Sequence, residues 1–181
     1  MSYEQITVLP VDIQADFRAQ LHKAQETKFG AFRLVAIRRS QGGHEDRRVV
    51  VYVVDENGMA VSGQPVAFSY STAKPFQITG DFQWMPPSPH KAHIARTEAG
   101  GKIENILGGE GVVKDGEAGG ITAYMLDAEY SSDVVSGLGM LPNHQSLVLT
   151  FQRQTVGILP LAERLEAIEA RLTALEQLWD E

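Results

Sequence analysis

The sequence predicts a mainly β protein: a sandwich or barrel of short strands, with an N-terminal arm or short helix and a C-terminal coiled-coil helix. Three observations predict it. Short apolar runs containing β-branched and aromatic residues recur between positions 31 and 155. The segments between them are rich in Gly, Pro, Ser and Asp, and 17 glycines supply the positive φ angles of tight turns. From Ile158 onward, large apolar residues recur at alternating steps of three and four. The chain therefore divides into residues 1–30, 31–156 and 157–181.

In the first part, Asp12 is placed to cap a helix with Ile13, Phe17, Leu21 and Ala24 on one face and Gly30 as its stop. An extended arm is the alternative. The strand candidates follow. Phe32 to Arg38 alternates apolar and polar residues only in part, and Val49 to Val54 is β-branched and aromatic. Pro65 to Tyr70 places Val66, Phe68 and Tyr70 on one side; Ile121 to Leu126 and Ser146 to Phe151 complete the set. Three prolines in Trp84-Met85-Pro86-Pro87-Ser88-Pro89 exclude a central strand there and indicate a rigid loop.

The run Val51-Tyr52-Val53-Val54-Asp55-Glu56-Asn57-Gly58-Met59-Ala60-Val61-Ser62-Gly63-Gln64-Pro65-Val66-Ala67-Phe68 resembles the start of bacterial Ig-like repeats of the invasin and intimin type. Thr97-Glu98-Ala99-Gly100-Gly101-Lys102 is similar to their second signature, a Thr followed by a Gly turn, and Ala118-Gly119-Gly120-Ile121-Thr122-Ala123-Tyr124 to their final strand. The resemblance covers about 48–126 and implies an Ig-like β-sandwich. Such modules occur in adhesins, glycan-active secreted enzymes and phage particles. The Pro-rich loop and residues 127–145 are additions to that pattern.

The C-terminal part has Ile158, Leu165, Leu172 and Trp179 at a, and Leu161, Ile168 and Leu175 at d. Pro160 near the start costs no hydrogen bond there, and Gly157 can serve as a hinge. Arg164 and Arg171 fall at g, Glu169 and Glu176 at e, which suits parallel chains. Each such pair contributes only ~0.3–0.5 kcal/mol, so the charges choose orientation more than they stabilise. Leu at a with Ile at d favours a trimer over a dimer. The helix is about 33 Å long at ~1.5 Å per residue and marginal alone. The expected partner is therefore the chain itself.

Composition narrows the function classes. A net charge of −7 argues against nucleic-acid and anionic-membrane binding. The absence of cysteine excludes disulfides, thiolate metal sites and cysteine nucleophiles. No apolar run reaches the ~18 residues of a membrane span. The start lacks the basic and apolar regions of a signal peptide, so the expectation is a cytoplasmic chain, one released by lysis within a phage particle, or a mature chain already without its signal.

Candidate sites are few. Arg38, Arg39, Arg47 and Arg48 flank Gly42-Gly43 at the basic end of an expected hairpin, suited to phosphate or an acidic partner. Phe82, Trp84 and Met85 are either an exposed platform for sugar or protein, or a cover for the core. Asp127, Glu129 and Asp133 could hold calcium, although capped turns are the plainer reading. Ser131, Ser132, Asp133 and His144 contain triad residue types without a nucleophile elbow. His90 and His93 lack a third ligand, and Gly108-Gly109-Glu110-Gly111 lacks the Lys of a phosphate loop. No metal or other cofactor is expected, nor an enzymatic activity. The expected role is structural or adhesive, as a phage virion accessory protein (capsid decoration, head fibre or tail-associated spike) beside a major capsid or tail protein. A carbohydrate-binding or adhesion module of a secreted or cell-surface protein is the alternative.

Overall fold

The computed structural model describes residues 6, 8–41, 48–70, 92–106, 113 and 117–155. Among these residues one helix, α1 (Val11–Phe17), precedes ten strands: β1 (Gln20–His22), β2 (Gly30–Arg39), β3 (Arg48–Val54), β4 (Pro65–Tyr70), β5 (Ala92–Arg96), β6 (Lys102–Ile106), β7 (Ile121–Met125), β8 (Ser131–Ser132), β9 (Val134–Leu138) and β10 (Leu147–Thr155). The described part is mainly β, as the apolar runs predict. The strands form two five-stranded sheets, ordered β1-β9-β7-β4-β5 and β6-β3-β10-β2-β8.

The first sheet is antiparallel throughout. In the second, β10 lies between β2, antiparallel, and β3, parallel, while β6 flanks β3 and β8 flanks β2. One apolar core draws on both sheets: Phe32, Leu34, Val51, Leu149 and Phe151 from the second, Phe68, Ile121, Met125 and Leu138 from the first. The register of β2 against β10 slips between Thr150 and Phe151, which face Ala36 and Leu34 and leave Val35 as an extra residue. This bulge explains the partial alternation in the sequence. It lets Phe32 and Leu34 on one side of it, and Ile37 on the other, reach the same core.

The N-terminal helix is shorter than its spacing predicts. It ends at Phe17 because Arg18 takes a left-handed conformation, φ 51°. Ile13 and Phe17 are buried as expected, but Leu21 lies in β1 and Ala24 beyond it. Nor does Asp12 cap the helix: Pro10 holds that position, with no side-chain cap. A seven-residue helix is unstable alone. Burial of Ile13 and Phe17 in the main core, each contributing roughly 1.5–3 kcal/mol, holds it. β1 then forms because His22, Leu21 and Gln20 pair with Val134, Val135 and Ser136. That ladder outweighs a continued helix.

Candidate functional site

Three places concentrate polar groups. The first is the pair of turns at Asp55 to Met59 and Thr97 to Gly101. The Asp55 side chain accepts the Asn57 and Met59 amides at 2.9 and 2.8 Å, and Gly58 takes φ 82°. The Met59 amide, with Asn57, holds the Asp55 carboxyl below the usual range. The second turn packs directly on this strand pair. Thr97 donates its hydroxyl to the Val61 carbonyl at 2.6 Å and accepts the Gln64 amide at 3.0 Å. Gly101, at φ 68°, lies so close that a Cβ would sit 2.4 Å from the Val53 carbonyl oxygen; no other residue fits without displacement. Two segments about 40 residues apart in sequence are thus neighbours: the Asp55 hydrogen bonds stay within its own turn, and those of Thr97 go to Val61 and Gln64.

The second place is the set of arginines, which the structure disperses. β2 and β3, expected to pair as a hairpin on either side of Gly42-Gly43, are not neighbours, because β10 lies between them. The side chain of Arg39 crosses to α1, where it pairs with Asp16 and with Asp12 and lies over the Phe17 ring. Arg48 pairs with Glu104 on β6, which Lys102 also contacts, holding the Glu104 carboxyl low. Arg38 is exposed. Two of the four charges are therefore neutralised on separate elements, and Arg47 lies outside the described residues. Among the described residues, Arg39 and Arg48 each point to a carboxylate partner on a different element.

The third is a buried polar network that joins the N-terminal segment to the start of β2 and to β9. Asp133 is fully buried and accepts hydrogen bonds from the Ala24 and Leu34 amides, both at 3.1 Å, and from Arg33 at 2.8 Å. Arg33, itself buried, also reaches the Ala24 carbonyl at 2.7 Å and Glu26 at 2.9 Å. Burial works against its charge, but the bonds to Glu26 and Asp133 outweigh that and raise its pKa. Such a pair gives strict geometry more than net stability. Sequence reading missed it, although the signal was present. A charged residue inside Ala31-Phe32-Arg33-Leu34-Val35 must be paired if the run is buried.

This network excludes the calcium and triad arrangements. Asp133 is enclosed with Arg33, whereas Asp127 caps its own turn by accepting the Glu129 and Tyr130 amides at 2.8 and 3.1 Å. Ser131 donates to the Gln25 carbonyl, and Ser132 accepts the Met125 amide and donates to the Asp133 carbonyl. Among the described residues no group of three or more His, Cys, Asp or Glu could hold a metal ion. His93 lies in β5.

Beside the network is a pocket of about 610 Å³, walled by residues 24–27, the end of β7 and the 127–132 segment. Tyr124 and Tyr130 line it. Tyr130 packs edge-on against Phe32, 5.8 Å between centroids, with Arg153 over its ring at 5.7 Å. Tyr124 is only 8% exposed, and its hydroxyl is buried without a hydrogen-bond partner; burial pushes its pKa up to about 12.

Several sequence-predicted residues lie outside the described residues: Phe82, Trp84, Met85, His90, Gly108 to Gly111, and the heptad set Ile158, Leu161, Arg164, Leu165, Ile168, Glu169, Arg171, Leu172, Leu175, Glu176 and Trp179. Among the described residues no helix is long and apolar enough to cross a membrane. No protein-family model, curated protein or solved structure matches the chain.

Proposed function

We propose that the chain is a non-enzymatic structural or adhesive protein of a phage particle, a capsid decoration, head fibre or tail-associated spike. In this reading an Ig-like β-sandwich stands on a parallel, trimeric coiled coil formed by Ile158 to Trp179. The observation that carries it is the position of β10. This strand immediately precedes the heptad segment, and it is the middle strand of its sheet, paired with β2 over Leu147–Thr155 and with β3 over Val148–Gln152. A stalk joined to an edge strand peels one ladder bond by bond. A stalk joined to β10 and pulled along the strand must shear two ladders together. That suits a domain tethered by its C-terminus. Further support for the sandwich comes from the core shared by the two sheets, and for the Ig-like module from the packing of Thr97 and Gly101 on Val53 and Val61, which flank the Asp55 turn.

Light scattering tests the stalk. The intact chain, 19.9 kDa, is expected at three times that mass, and a chain ending at Gly157 as a monomer. If both are monomers at micromolar concentration, the coiled coil is refuted. The virion assignment fails separately if the gene lies far from any capsid, portal or tail gene.

A further inference from the structure

We propose that the pocket between residues 24–27 and the 127–132 segment binds a saccharide ring, with Tyr124 as a contact that the ligand completes. The inference deepens the adhesive reading above and rests on it for the class of ligand.

The place is built for something other than stability. Along β7, Ile121, Ala123 and Met125 belong to the main core, so by strand alternation Tyr124 lies on the opposite face. There it joins a second, small cluster with Ala67 and Val134. Its hydroxyl is enclosed and pairs with none of the described residues, so a ligand reaches it when the ring turns toward the pocket that Tyr124 lines. A buried hydroxyl without a partner weakens a fold, and phenylalanine would fill the same space without that penalty. Groups of this kind persist where a ligand or a reaction uses them.

The surroundings match a neutral, hydroxyl-rich ligand. A volume of about 610 Å³ falls within the ~300–1,000 Å³ of small-molecule sites. The walls are fixed before any ligand arrives. Thr27 donates to the Glu129 carbonyl, Ser131 donates to the Gln25 carbonyl at 2.6 Å, and the Arg33–Asp133 pair grips Ala24 from behind. Fixed walls lower the entropic cost of binding. An aromatic ring can take the apolar side of a sugar ring, and Tyr130, which lines the pocket, is partly exposed. Glu26, Asp127 and Glu129 offer carboxylate oxygens to its hydroxyls, and among the described residues no lysine, arginine or histidine lines the pocket. A bare cation is the poorer match. Arg33 already supplies a positive charge to Glu26 through Oε1, and Oδ1 of Asp127 accepts two amides, which leaves the second oxygen of each carboxylate for neutral hydroxyl donors.

The test is an NMR titration of the full chain with glucose, galactose, rhamnose, N-acetylglucosamine and their common disaccharides at up to tens of millimolar. At least one is expected to shift the amides of Gln25 to Thr27 and Asp127 to Ser132. Tyr124→Phe is expected to weaken that binding about 3- to 10-fold, the worth of one hydrogen bond, while leaving the thermal midpoint equal or higher. Three results overturn the proposal: no sugar shifts these amides; Tyr124→Phe lowers the midpoint and leaves affinity unchanged; or an amine probe, N-acetyl-lysinamide, shifts them where sugars do not. A monomeric chain that binds sugar would remove the stalk and keep the pocket, and a trimer that binds none would do the reverse.

Discussion

Asp133 shows how much can depend on one carboxylate. Two backbone amides and one guanidinium converge on it, and none of the three has water to turn to when it is lost. Removing one partner of a buried ion pair leaves the other charge uncompensated, at ~3–5 kcal/mol. Asp133→Ala is therefore expected to lower unfolding free energy by about that amount in urea titrations, and the double variant with Arg33→Met to recover part of it. His22 makes a second prediction at this scale. Burial lowers its pKa below the ordinary 6.5 while its ring contacts the Ser136 hydroxyl at 3.0 Å. Between the lowered pKa and about 6.5 the unfolded chain binds a proton that the folded chain resists. Stability is thus expected to be level above pH 7 and to fall as pH drops through 6.5. His22→Gln should flatten that part of the profile. His22 was not legible as a site, since it carries no local signal; Asp133 was singled out, but for calcium or a triad, because its partner Arg33 lies 100 positions away.

Among elements, α1 separates what fastens from what decorates. Arg39 pairs with Asp12 and Asp16 on the solvent side, where such bonds contribute only ~0.2–1 kcal/mol each. Phe17 is wholly enclosed, and its loss to alanine costs ~3–5 kcal/mol. Chemical denaturation of Arg39→Ala and Phe17→Ala is expected to show that difference; equal effects would mean that the charges, not the core, hold the helix. The strands of five residues or more with β-branched or aromatic runs, β2, β3, β4, β7 and β10, were legible from their pattern. The five-residue strands β5, β6 and β9 were not picked out, nor were the two- and three-residue β8 and β1, because such short segments carry little or no period to read. The helix was overextended because Leu21 and Ala24 continue its spacing by coincidence. The left-handed turn at Arg18 and the pairing with β9 decide otherwise.

For the molecule as a whole, sequence patterning supplied strands but not their neighbours. Nothing in Leu147 to Thr155 says that it enters between β2 and β3, since pairing partners are set by the closing of the entire sheet. With both sides paired and Leu147, Leu149 and Phe151 fully buried, β10 should open only when the domain opens. Hydrogen exchange is expected to place the amides of Val148 to Phe151 among the slowest, with protection equal to the global unfolding free energy. Faster exchange there than in β4 would show that the second sheet opens by itself.

The middle position of β10 also governs how the protein is made. β2 leaves the ribosome about 110 residues before β10 does, a wait of roughly 5–20 s at ~5–20 residues per second. Throughout that interval β2 and β3 each present an unpaired, apolar border. Such a border invites pairing with any other chain in the same state. Newly synthesised chains are most at risk on crowded polysomes, where several copies wait side by side, and yield should improve when initiation is slowed or a holding chaperone is abundant.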